Sequence, residues 1–165
     1  MTDTPRLTAE RFAETRHEYP ENGRWCELVA GEVQPLDPPL EEHGTTMFNL
    51  SKAVAEYLHV AEEPELCGHP CFDIGLIVSR APDTVLFPAM SWFAEGNRFD
   101  DTDSTLIDRT PVLVAEIASS NIRRRSIGQR TEQYLAFGVQ TVWILDPQEQ
   151  VVHVIRGQHG AKRLA

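Results

Sequence analysis

Residues 112–117 read Val-Leu-Val-Ala-Glu-Ile, an almost unbroken apolar run carrying one carboxylate near its end. A run this short and this apolar has the pattern of a strand covered on both faces. Burying a lone charge there costs roughly several kcal/mol, so Glu116 is paired, protonated or coordinating a cation, unless it stands exposed just before Ala118-Ser119-Ser120. Both readings are open on this residue alone.

The rest of the chain reads as one mixed α/β unit over residues 1–165, without internal repeats or a separating linker. Thr8 before Ala9-Glu10-Arg11-Phe12 predicts a short capped helix that stops before Pro20. Trp25–Val29 and Glu32–Gln34 flank Ala30-Gly31 and predict a hairpin. After Pro38-Pro39, apolar residues at Met47, Leu50, Val54, Tyr57 and Leu58 predict a long helix over about Glu42–His59. Short β-like runs follow at Cys71–Ile74, Leu76–Val78, Thr84–Phe87 and Met90–Phe93, interrupted by Gly75 and Pro88. The polar stretch Glu95–Asp108 predicts a surface loop. Beyond the apolar run, a helix over roughly Arg123–Phe137 ends at Gly138, and strands at Thr141–Leu145 and Val151–Ile155 flank a turn at Asp146–Glu149.

Charge narrows the function classes. The formal net charge is -10, with a pI of about 5.0, the opposite of a protein held to nucleic acid by bulk electrostatics. No apolar stretch approaches the roughly 20 residues a membrane helix needs. The first residues, Met1–Arg6, lack the basic start and apolar run of a secretory signal, and three cysteines, an odd number, suit a reducing setting. A cytoplasmic protein with no membrane partner is the expectation. Lysine is scarce: Lys52 and Lys162 stand against thirteen arginines, so any chemistry that needs a lysine has two candidates.

An ordered set of short motifs carries more. Glu27-Leu28-Val29-Ala30-Gly31-Glu32 is followed by Pro38-Pro39, by His43 at a helix start and by Pro88 among strands. Then come Glu116-Ile117-Ala118-Ser119, Arg124-Arg125 before Tyr134, Gly138-Val139 and Trp143-Ile144-Leu145-Asp146-Pro147. In this order the set resembles the Uma-type restriction endonucleases, a branch of the PD-(D/E)XK nuclease superfamily, over roughly residues 7–156. The resemblance implies an α+β restriction-endonuclease-like fold, a mixed sheet flanked by helices, with acidic residues converging on a divalent metal. It implies Mg²⁺ as cofactor, DNA as partner and, because two strands need two cuts, a homodimer. Hard oxygen ligands suit Mg²⁺, which would hold a scissile phosphate and activate water beside a lysine. Carried over by position, the acidic sites are Glu27, the residue after Pro88, and Glu116, with the lysine four residues before Tyr134.

Two of these positions depart from the family pattern. The residue after Pro88 is Ala89, so a central metal ligand is missing, and the lysine position holds Arg130. The family's helix also carries an Asp where this chain has Ser126. Arg130 keeps a charge but has too high a pKa to act as a base, and its planar fork places donors differently from an ammonium. The site expected from the resemblance is therefore Glu27, Glu116 and Arg130, with Glu27 and Glu116 as the remaining metal ligands. Asp73, Asp83 and Glu95 are the nearest acidic residues in sequence that could replace the ligand lost at Ala89. Glu27 and Glu116 are expected to face each other across a polar pocket roofed by the helix carrying Arg130.

Other residues have two readings each. His43 is a phosphate contact or a polar residue in a helix's first turn. Arg124 and Arg125, in the basic cluster Arg123-Arg124-Arg125, contact a phosphate substrate or make ion pairs on a solvated face. Cys67, His69 and Cys71 alternate as zinc ligands would on one strand face, against which stand Gly68, Pro70 and the lack of a fourth ligand. Three function classes remain: a nuclease-fold protein with a lost or impaired site and a binding or regulatory role, a working Mg²⁺-dependent endonuclease with a rearranged site, and a structural protein in which Glu116 is an ion-pair partner.

Overall fold

The computed structural model describes residues 6–63, 67–95, 105–157 and 160–164. Helix α1 (Ala9–Thr15) opens at Thr8, whose hydroxyl accepts the Arg11 N–H at 3.2 Å, and a 3₁₀ turn at Arg16–Glu18 carries the chain toward Pro20. Strands β1 (Cys26–Val29) and β2 (Glu32–Pro35) form the expected hairpin, with Val29 opposite Glu32. Ala30 and Gly31 turn it at φ of 52° and 80°, the two left-handed residues that match the twist of a tight hairpin.

Helix α2 (Glu41–Val60) covers the predicted span, and β3 (His69–Phe72), β4 (Gly75–Ser79), β5 (Thr84–Leu86) and β6 (Met90–Phe93) follow. Gly75 starts β4 rather than interrupting a strand. A Cβ there would stand 2.5 Å from the Leu106 side chain and 2.8 Å from the Phe87 ring, so close packing demands glycine. Of the predicted loop at 95–108, residues 96–104 lie outside the described residues. Its end is a strand, β7 (Leu106–Ile107), parallel to β4, two residues being too few for any period to reveal.

The apolar run is β8 (Leu113–Ile117). Helix α3 (Asn121–Phe137) starts two residues before the predicted Arg123 because Ser120 caps it, accepting the Arg123 N–H at 3.2 Å, and it stops at Gly138 with φ of 104°. Strands β9 (Thr141–Asp146), β10 (Val151–Arg156) and β11 (Gly160–Leu164) complete the order.

The strands form two mixed sheets, β2-β1-β5-β4-β7 and β11-β10-β9-β8-β6-β3, the second with β8 and β9 parallel. Strand alternation then decides which side chains meet. Along β8, Leu113 and Ala115 face α2 through Leu50 and Val54, whereas Val114 faces α3 through Tyr134. Along β1, Cys26 and Leu28 pack with Phe12 of α1, which leaves Glu27 on the opposite face with Val29. Both acidic strand residues therefore point toward the layer that α3 occupies. Among the described residues no helix is long and apolar enough to cross a membrane.

Candidate functional site

Glu27, Glu116 and Arg130 converge, and they do so inside the protein. Their exposures are 2%, 2% and 6%, so the polar space expected between the two glutamates is closed to solvent. The Arg130 guanidinium fills that space. Its Nε donates to Glu116 Oε1 at 2.9 Å, one Nη donates to the same oxygen at 2.6 Å, and the other donates to Glu27 Oε2. Tyr134, one helical turn on, donates its hydroxyl to Glu116 Oε1 at 2.5 Å. Glu27 Oε1 accepts the Phe87 N–H at 2.6 Å, tying the hairpin to the end of β5.

This geometry explains how a carboxylate survives in an apolar strand. The planar fork of an arginine reaches two carboxylates at once, which a single ammonium does less well. Burial works against the Arg130 charge, but Glu116, Tyr134 and Glu27 together hold its pKa well above the ordinary value, so it is permanently cationic. Burial first, and the neighbouring carboxylates after it, push the Tyr134 phenol well above its usual range, so it remains a donor.

The position after Pro88 directly precedes β6, which pairs with β8. Met90 pairs with Ala115 across β6 and β8, and one further residue along that register sets Ala89 opposite Glu116. Ala89 is 5% exposed and brings no oxygen. Among the described residues no group of three or more His, Cys, Asp or Glu is placed to hold a metal ion. The residues present do not fit the Mg²⁺ that the family resemblance implies: two carboxylates are already engaged by a guanidinium, and the third ligand is missing. The same finding bears on Cys67, His69 and Cys71, which form no zinc-holding group.

Of the three acidic residues that could replace the lost ligand, only Asp73 comes near. Its N–H reaches the Ala89 carbonyl at 3.4 Å, and both residues line one cleft. Asp83 instead serves α1 and the turn before β5, accepting the Ala9 N–H at 2.7 Å and pairing with Arg80 at 3.1 Å. Glu95 is exposed just beyond the end of β6.

The cleft that holds Ala89 and Asp73 has a volume of about 820 Å³ and also receives His43 and three arginines, Arg16, Arg24 and Arg123. His43 is 8% exposed, and its Nδ1 lies 3.0 Å from Ser119 Oγ. Burial foremost, with Arg123 second, lowers its pKa to about 4, so the ring is neutral near pH 7. Partial burial in the cleft wall raises the Asp73 carboxyl above its usual range, opposed by Arg123 and Arg24.

The basic cluster divides. Arg123 lines the cleft, whereas Arg124 makes a two-pronged pair with Asp146 at 2.7 and 2.5 Å and Arg125 is exposed. Arg124 and Arg125, the two expected to meet substrate, are thus outside the cleft. Arg16 and Arg24 were not singled out by sequence, since neither sits in a basic run. The one signal that could have found them is Arg24 directly before Trp25, an aromatic at the mouth of the hairpin.

A family model described as "Putative restriction endonuclease" matches residues 12–164. The fold is similar to the crystal structure of a protein from Anabaena variabilis described as "a putative nuclease belonging to DUF820". The superposition has a TM-score of 0.73 at 19% sequence identity, covering 96% of this chain and 84% of that one, a likeness of fold. No curated protein matches the chain.

Proposed function

This chain belongs to the Uma2 family, and from that premise we propose that it is a restriction-endonuclease-fold protein whose metal-dependent nuclease site is impaired and whose remaining role is to bind. The observation that carries this reading is the Arg130 guanidinium seated between Glu27 and Glu116. A buried arginine supplies in a fixed form the positive charge that a dissociable cation would otherwise bring to the paired carboxylates. With Ala89 in place of a third oxygen donor, Mg²⁺ binds weakly or not at all, and a phosphodiester has no metal to polarise it. What remains accessible is the cleft beside Ala89, with its arginines and His43.

Calorimetric titration with Mg²⁺ and Mn²⁺, together with a plasmid-nicking assay, tests the proposal. The expected result is no stoichiometric binding and no cutting that depends on Glu116. Tight binding that disappears in Glu116→Gln or Asp73→Asn would overturn it. Asp73, beside Ala89 in the cleft, would then be the substitute ligand of a rearranged, working site.

A further inference from the structure

We propose that the cleft beside Ala89 takes a terminal phosphate monoester carried on a nucleoside-sized group. The inference deepens the binding role proposed above and rests on it. Four arginines elsewhere in the described structure are committed to carboxylates: Arg11 to Glu14, Arg80 to Glu10 and Asp83, Arg124 to Asp146, and Arg130 to Glu27 and Glu116. Arg16, Arg24 and Arg123 make no such ion pair among the described residues, and all three line this one cleft.

Two of the three are held in place by uncharged contacts. Arg16 donates to the carbonyls of Gly23 at 2.7 Å and Arg24 at 3.3 Å, and its guanidinium lies 3.9 Å from the centre of the Phe87 ring. Arg24 lies 4.8 Å over Trp25. Guanidinium groups positioned in advance lose little freedom on binding an anion.

The opposite wall is the start of α2. Its N-cap, Leu40, offers no side-chain oxygen, and Pro39, His43 and Gly44 line the cleft there. The helix start adds partial positive charge, offset in its first turn by the carboxylates of Glu41 and Glu42. His43 gives an independent sign of a ligand: it is more than nine-tenths buried, its Nδ1 is engaged by Ser119, and its Nε2 has no partner among the described residues while the ring lines the cleft.

The charge balance of the cleft favours an anion. Three guanidiniums face the two carboxylates of Glu21 and Asp73, and Glu21 accepts the Trp25 indole N–H at 2.8 Å. A phosphate monoester presents three terminal oxygens to the three guanidiniums, a diester only two. Trp25, Leu36, Pro39 and Met47 supply an apolar wall for a base or sugar, and about 820 Å³ is within the range of a small-molecule site. A long duplex fits worse. Backbone binding of that kind uses roughly 6–10 phosphate contacts, whereas this cleft holds three arginines and the chain has a net charge of -10.

The experiment measures binding to the full chain without added metal, using dAMP, deoxyadenosine, inorganic phosphate, and one single-stranded oligonucleotide with either a 5′-phosphate or a 5′-hydroxyl. Expected are binding of dAMP, none of deoxyadenosine, and at least about tenfold tighter binding of the 5′-phosphorylated strand than of its hydroxyl twin. If dAMP and the phosphorylated strand bind equally, a free nucleotide suffices. A markedly tighter strand identifies a nucleic-acid end as the source of the phosphate. Arg123→Gln and Arg24→Gln should each weaken dAMP by about tenfold without lowering the melting temperature of the free protein. Equal binding of the phosphorylated and hydroxyl strands, no effect of either substitution, or inorganic phosphate binding as tightly as dAMP would overturn the inference. None of these outcomes depends on metal or cutting, so the impaired-site reading can fail while this one stands, and the reverse.

Discussion

Arg123 and Arg130 stand two turns apart on one helix and meet opposite fates. Arg130 is almost wholly buried and bridges Glu27 and Glu116. Arg123 is half-buried, has no ion pair among the described residues and faces an open cleft. The two arginines have the same side chain on the same helical face, so neither propensity nor amphipathicity separates them. The strands beneath them do. Alternation on β1 and β8 aims two carboxylates at the layer under Arg130, whereas Arg123, in the first turn, extends past the strand ends toward the start of α2. A buried cation opposite fixed anions is structural. A cation of the same kind without an ion-pair partner is free for a ligand.

The strongest way to break this contrast is to remove each charge in turn. Arg130→Met leaves two buried carboxylates uncompensated and should cost about 3–5 kcal/mol, read from the urea midpoint. Arg123→Met should stay within about 0.5 kcal/mol of wild type. Adding Glu27→Gln and Glu116→Gln to Arg130→Met should recover much of the loss, because a paired buried charge is costly mainly when its partner is taken away. Equal losses for the two single arginine variants would show that Arg123 is as structural as Arg130.

A second measurement isolates the cleft side. His43 titrates at about 4 in the folded protein, against 6.5 for an unperturbed imidazole. Between those values the unfolded chain binds a proton that the folded chain does not, so stability is full above pH 6.5 and falls as the pH drops toward 4. The loss over that window should be about 2–3 kcal/mol. Asp73, whose carboxyl is raised by burial, pulls in the opposite direction, which is why the comparison must be with His43→Gln. The variant should lack the His43 share of the slope. An unchanged pH profile would mean that the ring is not shielded as the Ser119 contact and the cleft wall imply.

Much of this architecture is legible in the sequence because it rests on local rules. Ala30-Gly31 dictates the hairpin, Gly138 the end of α3, and the isolation of Glu116 in an apolar run leaves two readings, a partner or exposure at the strand end. The meeting of Glu27, Glu116 and Arg130 follows from an ordered family likeness that the fold bears out. What the sequence conceals is three-dimensional closure. Nothing local says that the arginine fills the polar space between the carboxylates and closes it to solvent, since that depends on how far a side chain reaches across two sheets. Arg16, Arg24 and Arg123 lie in separate segments and acquire a common purpose only when α1's exit, the hairpin and α3 come together. Strand β7 is two residues long, below the length at which a period can be read.

The smallest expected effect asks whether the sealed side can be reopened. Extending the Met90–Ala115 pair by one residue sets Ala89 across from Glu116, so Ala89→Asp is the change expected to bring a third carboxylate toward the constellation. With Arg130 still present, that oxygen meets a guanidinium rather than a vacant ligand position, and Mg²⁺ affinity should rise little, by less than about tenfold. Arg130→Lys alone swaps a two-pronged bridge for one compact ammonium and should lower stability without creating a metal site. The two changes together supply both the oxygen and the released space, so the gain in Mn²⁺ binding and plasmid nicking should exceed the product of the single gains. Glu116→Gln in the repaired background must abolish that gain, which separates it from a contaminating nuclease. A double variant that folds but neither binds metal nor cuts would mean that Arg130 is not what closes this side, and that the surrounding shell has diverged too far for two residues to restore it.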